Sequence, residues 1–162
     1  MKKLLAIALT LVMVLSLSVT AFAADITQDS NPKTADTNVT FNVDPTYTVT
    51  IPATVTLAKA ADGSYKQDAG ITAADVRLLE GQTITVTLAS DFKLTTGAAG
   101  ATYELPYTVK VGDATTAIAT GDTVATFTTD TNSQSSTLHF AAANPTYAGE
   151  YSDTVTFTIA VA

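Results

Sequence analysis

Apolar and polar side chains alternate along most of the chain after residue 36. Val39, Phe41 and Val43 alternate with asparagine and threonine, and the same pattern runs from Val155 to Val161 at the end of the chain. Successive side chains of a strand point to opposite faces of its sheet, so a period of two predicts half-buried strands. The runs that follow this pattern lie near residues 39–43, 47–51, 55–57, 76–78, 84–88, 92–94, 103–111, 124–128, 138–140 and 155–161.

Glycine, proline and acidic residues mark where these strands end or turn. Asp, Gly and Ser at residues 62–64 predict a turn. Residues 75–88 are typical of a hairpin that turns at Glu80 and Gly81. Pro106 has no backbone N–H to donate, so its strand must place it at a sheet edge or a bulge. Only residues 69–76 depart from the alternation enough to form a turn of helix.

The repetition of short strands predicts an all-β fold. Threonine and valine lose side-chain freedom in a helix, and the apolar residues recur at two positions rather than at three and four. Many short strands separated by turns favour a single antiparallel β-sandwich over residues 37–162, with threonine faces towards solvent. A sheet closed on itself is the alternative architecture.

The first 23 residues have the layout of a secretory signal peptide. Lys2 and Lys3 precede an apolar run over residues 4–17, and the small-x-small sequence at residues 21–23 follows. The run is too short for a membrane anchor, which needs about 20 apolar residues. We expect cleavage after Ala23, which would leave a secreted chain with no integral membrane segment. Residues 24–36 are polar and predict a flexible leader.

Composition and charge exclude several classes of function. The formal net charge is −7, so the chain would repel nucleic acid. There is no Cys and one His among 162 residues, so no side-chain set favours a metal site, a cofactor or a catalytic base. That residue, His139, lies between two apolar neighbours and should face solvent from a strand. The oxygen spacing at residues 130–136 imitates a calcium loop, but Ala141 stands where a bidentate Glu belongs. We predict a protein that is not an enzyme.

Two tyrosines are candidate ligand contacts. Tyr65 and Tyr147 fall in predicted loops, where an aromatic face is free to pack against a sugar ring. The other four tyrosines fall in the apolar phase of predicted strands and are expected in the core. This pair therefore carries the alternative function of a monomeric module that binds carbohydrate or protein.

The end of the chain resembles a known kind of closing strand. Residues 148–159, AGEYSDTVTFTI, are similar to the last strand of bacterial Ig-like surface sandwiches, and of spore-coat-U-like, pilin-type and camelysin-related fibre subunits. The run YTVTIPA at residues 47–53 is similar to an early strand of small secreted proteins from Gram-positive gut bacteria. The resemblance implies an Ig-like or pilin-like sandwich at the surface of a Gram-positive cell. It also implies that Tyr151 buries its ring and bonds a neighbouring turn, like a tyrosine corner.

The leading functional hypothesis is a secreted cell-surface subunit, adhesin-like or fibre-forming, whose partner is a second copy of itself. Assembly would proceed by strand addition, in which a mobile segment of one subunit completes the open sheet edge of the next. Val39, Phe41 and Val43 are the residues expected to make that contact. A calcium-stabilised accessory domain of an extracellular enzyme is a third, more distant interpretation.

Overall fold

The structure is a computed structural model that describes residues 25–98, 101–130 and 132–162. The predicted signal peptide, residues 1–23, lies outside the described residues. The chain divides into two units between Phe41 and Asn42, and all the strands described belong to the second unit. Within the described ranges there are nine strands and no helix: β1 (Thr46–Thr50), β2 (Ala58–Lys59), β3 (Tyr65–Arg77), β4 (Ile84–Ala89), β5 (Lys93–Ala98), β6 (Ala101–Val111), β7 (Thr123–Phe127), β8 (Gln134–Ala142) and β9 (Thr156–Val161).

Six of the strands form one antiparallel sheet. Its order is β1-β3-β8-β6-β5, and the short strand β2 also pairs with β3. The β3–β8 ladder is unbroken from Tyr65 opposite Ala142 to Ala73 opposite Gln134. β3, β8 and β6 therefore lie inside this sheet, and β1, β2 and β5 are its edge strands.

The other three strands form a smaller antiparallel sheet in the order β7-β4-β9. Its central strand has the alternation that the sequence predicts. Ile84, Val86 and Leu88 are each 0% exposed, and the threonines between them are only half-buried. Burying each of these three side chains contributes about 1.5–3 kcal/mol to the stability of the fold, which holds β4 in the core.

Both sheets contribute side chains to one hydrophobic core. Its buried members alternate along β4, β6 and β8, whereas a register shift interrupts the alternation in β3 and in β7. The buried members are Ile71, Ala73, Val76, Ile84, Val86, Leu88, Tyr107, Val109, Val124, Ala125, Phe127, Leu138, Phe140 and Ala142. The fold is therefore all-β with antiparallel sheets, as predicted.

Two predicted strands, near residues 39–43 and 55–57, are not formed. Residues 51–57 contain no strand, and β2 is limited to Ala58–Lys59. Residues 25–45 contain no strand, and β1 begins at Thr46. Val39 and Phe41 are 86% and 89% exposed, and Val43 is 53% exposed. Alternation makes a segment able to lie in a sheet, but a strand also needs a neighbour to accept its backbone hydrogen bonds.

The predicted helical turn at residues 69–76 is wrong, because these residues lie inside β3. The pairing of β1 with β3 slips between Thr46 and Thr48, and Asp75 in the same region has a positive φ of 51°. A bulge inserts an extra residue into one strand and shifts the phase of the residues beyond it. Ala73 and Val76 are consequently both buried although they are three positions apart. This spacing is typical of a helix rather than of a strand.

The predicted hairpin over residues 75–88 is also wrong. β3 and β4 follow one another in sequence, but they belong to different sheets. Gly81, with a φ of 83°, turns the chain between them, and the Gln82 amide donates to the Leu79 carbonyl at 3.1 Å. The turn was correctly placed, but it connects two sheets instead of two paired strands.

Pro106 occupies the position that its missing donor requires. The β6–β8 ladder begins at Tyr107, so the part of β6 before it pairs with β5 alone. Pro106 therefore lies where β6 is still a sheet edge on one side. The Tyr107 amide then donates to the Phe92 carbonyl at 3.0 Å.

Candidate functional site

The last strand, β9, is paired along one side only among the residues that the structure describes. It bonds to β4, with Val161 opposite Ile84 and Ile159 opposite Val86. Thr83 and Ala162 exchange both backbone hydrogen bonds, at 2.8 and 3.1 Å. In an antiparallel pair such doubly bonded positions alternate with positions whose backbone groups point away from the partner.

This alternation fixes which backbone groups lie on the free side of β9. Counting back in twos from Ala162, the residues at 160, 158 and 156 bond to β4. The N–H and C=O groups of Phe157, Ile159 and Val161 therefore point outward. These are three evenly spaced donor and acceptor positions to which another strand can bond.

The side chains of the same residues belong to the core face of the small sheet. Ile159 and Val161 lie opposite Val86 and Ile84, which are fully buried. Directly opposed residues share a face of the sheet, yet Ile159 is 38% and Val161 is 37% exposed. The apolar face of the small sheet is thus complete at β4 and partly uncovered at β9.

Sheet edges are usually protected by charged side chains, proline or a bulge. β9 has none of these: its sequence is TFTIAV, and its pairing with β4 is regular throughout. No feature of the β9 sequence therefore prevents another strand from pairing with this edge.

A cavity of about 610 Å³ adjoins the beginning of β9. Most of its wall is apolar, and it includes residues 52–57 between β1 and β2, the facing ends of β6 and β8, and the segment that leads into β9. Its lining residues include Val55, Leu57, Tyr65, Leu94, Leu105, Phe140, Val155 and Phe157.

One end of the cavity is polar. The Asp153 carboxylate accepts hydrogen bonds from the Ser90 and Tyr107 hydroxyls, both at 2.7 Å, and from the Thr154 amide at 2.7 Å. The Phe92 amide donates to Ser90 Oγ at 2.7 Å. Burial raises the pKa of Tyr107 above its ordinary value, and the Asp153 carboxylate adds to that effect. This cluster joins β4, β6 and the segment before β9.

The structure places the two candidate ligand tyrosines in different settings. Tyr65 is the first residue of β3 rather than part of a loop, and it is half-buried in the cavity wall. Tyr147 lies in the loop between β8 and β9 and is 51% exposed. Its ring packs on Tyr103, not on Tyr65. The hydroxyl of Tyr151 donates to the Tyr147 carbonyl at 3.0 Å, which is the type of bond that a tyrosine corner makes.

His139 is half-exposed, and its Nδ1 lies 2.6 Å from Asp68 Oδ1 on the neighbouring strand β3. Over the described ranges, no three His, Cys, Asp or Glu side chains are grouped so as to hold a metal ion. No helix in the same ranges is long and apolar enough to span a membrane.

The sequence indicates the segment around Phe41 but not the sheet edge that could pair with it. Ser90, Tyr107 and Asp153 were also missed as a group, because they come from three distant segments. The spacing of residue 153, two positions after Tyr151, was the only local signal, since it puts both on one face of an extended chain.

Comparisons with known proteins give limited similarity. No family model and no curated protein matches the chain. One similar solved structure is a chain of the chaperone–tip adhesin complex of CFA/I fimbriae biogenesis, at 15% identity and a TM-score of 0.42, over 70% of this chain and 41% of that one. Another is a chain of the CsuC–CsuE chaperone–tip adhesion subunit pre-assembly complex from archaic chaperone-usher Csu pili of Acinetobacter baumannii. Its identity is 17% and its TM-score 0.46, over 72% of this chain and 40% of that one.

The matched region spans about two fifths of each of those chains. TM-scores below 0.5 at these identities assign neither a fold family nor a function. The comparisons lend no support to a spore-coat-U or camelysin relationship, or to a Gram-positive source.

Proposed function

We propose that this chain is a non-enzymatic, secreted cell-surface subunit that assembles by strand addition. In this proposal the two sheets form an incomplete pilin-like sandwich, and residues 37–43 of one copy add to the free edge of β9 in the next. The observation that carries it is the free edge of β9, with outward backbone groups and partly uncovered core side chains. Export by the predicted signal peptide would place such subunits outside the cell.

The donor segment and the edge match in length and spacing. Phe157, Ile159 and Val161 offer outward backbone groups at every second position. Apolar side chains on the donor recur at the same interval, at residues 39, 41 and 43. Pairing the two segments would give the donor the backbone partners it lacks and place its apolar side chains over the uncovered face.

Charge does not oppose this pairing, although the whole chain is acidic. Residues 37–43, TNVTFNV, contain no charged side chain, and neither does β9. Repulsion between the acidic copies therefore comes from charges outside the paired segments, and it falls off within about 8–10 Å at physiological salt. Apolar burial and backbone hydrogen bonds would act there without a local charge penalty.

The test uses protein expressed from the full-length sequence and purified after export, with light scattering coupled to gel filtration. We expect oligomers that grow with concentration, and their loss when residues 24–43 are deleted. Phe41→Asp should have the same effect as the deletion, because it places a charge on the apolar row. Asn42→Asp adds the same charge on the opposite row and should leave assembly intact.

Polymers that persist after the deletion would overturn the proposal, and so would equal assembly of Phe41→Asp and wild type. A wild-type protein that stays monomeric at all concentrations would also overturn it and favour the monomeric binding module. A glycan array probed with wild type and Tyr147→Ala would then be the next experiment.

A further inference from the structure

Two tyrosine rings from distant parts of the chain are in contact at the surface. Tyr103 lies in β6, and Tyr147 lies in the loop that leads to β9. Their ring centroids are 4.2 Å apart, and the rings are tilted by 33°. Tyr103 is half-buried and Tyr147 is 51% exposed, so solvent and small reagents can reach the pair. In the described part of the chain, no other two tyrosine rings are in contact.

The loop around Tyr147 is held tightly against the β5–β6 pair. Thr96 lies opposite Tyr103 and is 5% exposed. A Cβ on Gly149 would come within 2.7 Å of Thr96 Oγ1, so the loop backbone packs closely against that side chain. Ser152 and Thr95 exchange two backbone hydrogen bonds, at 2.9 and 3.0 Å, and these close the other end of the loop. The two rings are therefore held in contact by the backbone on both sides.

We propose that Tyr103 and Tyr147 form a modification site at which a peroxidase and hydrogen peroxide generate an intramolecular dityrosine cross-link. Each phenol loses one electron and one proton to become a phenoxyl radical. The two radicals join through ring carbons next to their hydroxyl-bearing carbons, and proton shifts restore both aromatic rings. One hydrogen peroxide accepts the two electrons and two protons and yields two waters, so the protein loses two hydrogen atoms in total.

The contact geometry favours this product over coupling between molecules. A radical on Tyr147 has the Tyr103 ring in contact with it in the folded protein, whereas a second protein molecule must first diffuse to it. Tyr107 is a poor competitor because it is 6% exposed and its hydroxyl donates to Asp153. The proposed cross-link would fix the β8–β9 loop to β6 in a chain that has no cysteine for a disulfide. It does not depend on strand addition.

The test treats the exported wild-type protein, at high dilution, with horseradish peroxidase and hydrogen peroxide. We expect the blue fluorescence of dityrosine in the monomer band, and a linked pair of peptides containing Tyr103 and Tyr147 that lacks two hydrogens. The linked monomer should melt at a higher temperature, because the cross-link restricts the unfolded chain.

Three single variants make the assignment specific. Tyr103→Phe and Tyr147→Phe keep the packed rings but cannot form the phenoxyl radical, so each should abolish the monomer signal. Tyr47→Phe removes an exposed tyrosine outside the pair, which is 46% exposed, and should leave the signal unchanged. Circular dichroism melting confirms that the untreated variants are folded. Equal monomer fluorescence in both pair variants and wild type would overturn the proposal, as would cross-links found only in covalent oligomers.

Discussion

Outside the apolar core, hydrogen bonds to Asp153 help to connect the two sheets. The loss of Asp153 should weaken this connection more than the loss of any other polar side chain. Asp153→Ala removes an acceptor that receives hydrogen bonds from Ser90 and Tyr107. Both hydroxyl protons are directed at the carboxylate, so neither is used in the 2.9 Å contact between Ser90 Oγ and Tyr107 OH. After the substitution these two hydroxyls can bond to each other, and the buried Tyr107 hydroxyl is not left without a partner.

The cost is therefore that of the two charge-assisted hydrogen bonds from Ser90 and Tyr107, without an orphaned buried group, because the exposed Thr154 amide can bond to water instead. Each such bond contributes about 1.5–3 kcal/mol, and the lower end applies because Asp153 is only half-buried. One new neutral bond between Ser90 and Tyr107 recovers about 0.5–1 kcal/mol. We expect Asp153→Ala to lower the free energy of unfolding by about 2–3 kcal/mol, and Asp153→Asn by about 1 kcal/mol, since the amide oxygen still accepts.

Urea unfolding followed by circular dichroism measures this change, with equal m-values as the check that the two-state comparison holds. Asp113→Ala is the matched control, because it removes an exposed carboxylate and should change the free energy of unfolding by less than about 0.5 kcal/mol. If Asp153→Ala is as stable as Asp113→Ala, the polar cluster does not stabilise the fold.

Three further substitutions test other parts of the structure. Because the pKa of the Tyr107 hydroxyl is raised in the folded protein, the unfolded chain loses the hydroxyl proton at a lower pH, and the free energy of unfolding should fall as pH rises above about 10. Tyr107→Phe should remove this part of the fall when urea unfolding is measured as a function of pH. Gly149→Ala should cost about 1–3 kcal/mol in wild type but little in a Thr96→Ala background, and an equal cost in both would refute the close contact. Leu88→Ala should cost about 2–5 kcal/mol, whereas Leu79→Ala, at a side chain 60% exposed, should cost less than about 0.5 kcal/mol in the same assay; similar costs would contradict the core assignment.

The sequence predicts strands well where the alternation continues without interruption. β4 and β9 were placed within a residue or two, because every large apolar side chain in them falls on one face. Pro106 was expected at an edge, and in the structure it is the last residue of β6 before pairing with β8 begins.

The errors have physical causes that local patterns do not carry. The bulge near Asp75 shifts the phase of β3, so its period of two breaks between Ala73 and Val76. The turn at Gly81 predicts a reversal of the chain but not the sheet that the next strand joins. At residues 39–43 the alternation shows that an extended segment would have one apolar and one polar face. It does not show that a partner strand is present.

The candidate site was harder to predict than the strands. Residue types at 39, 41 and 43 are visible in the sequence, but an unpaired edge is a property of the whole sheet order. Likewise, Ser90 and Asp153 carry no local sign that they share Tyr107 as a neighbour. Both the unpaired edge and the polar cluster depend on contacts between segments that are distant in sequence. A single sequence gives the residues but not these contacts.

The central claim is that residue 41 of one copy lies beside residue 159 of another, and disulfide trapping tests it most directly. The chain has no cysteine, so a Phe41→Cys, Ile159→Cys double variant introduces the only two thiols. Paired strand positions lie within the distance that a disulfide spans, and position 41 meets 159 whether the centred strands run parallel or antiparallel. Mild oxidation should give a ladder of covalent oligomers on a non-reducing gel, whereas the Asn42→Cys, Ile159→Cys control should remain largely monomeric. A double variant that forms no ladder, or one that forms the same ladder as the control, would contradict the account.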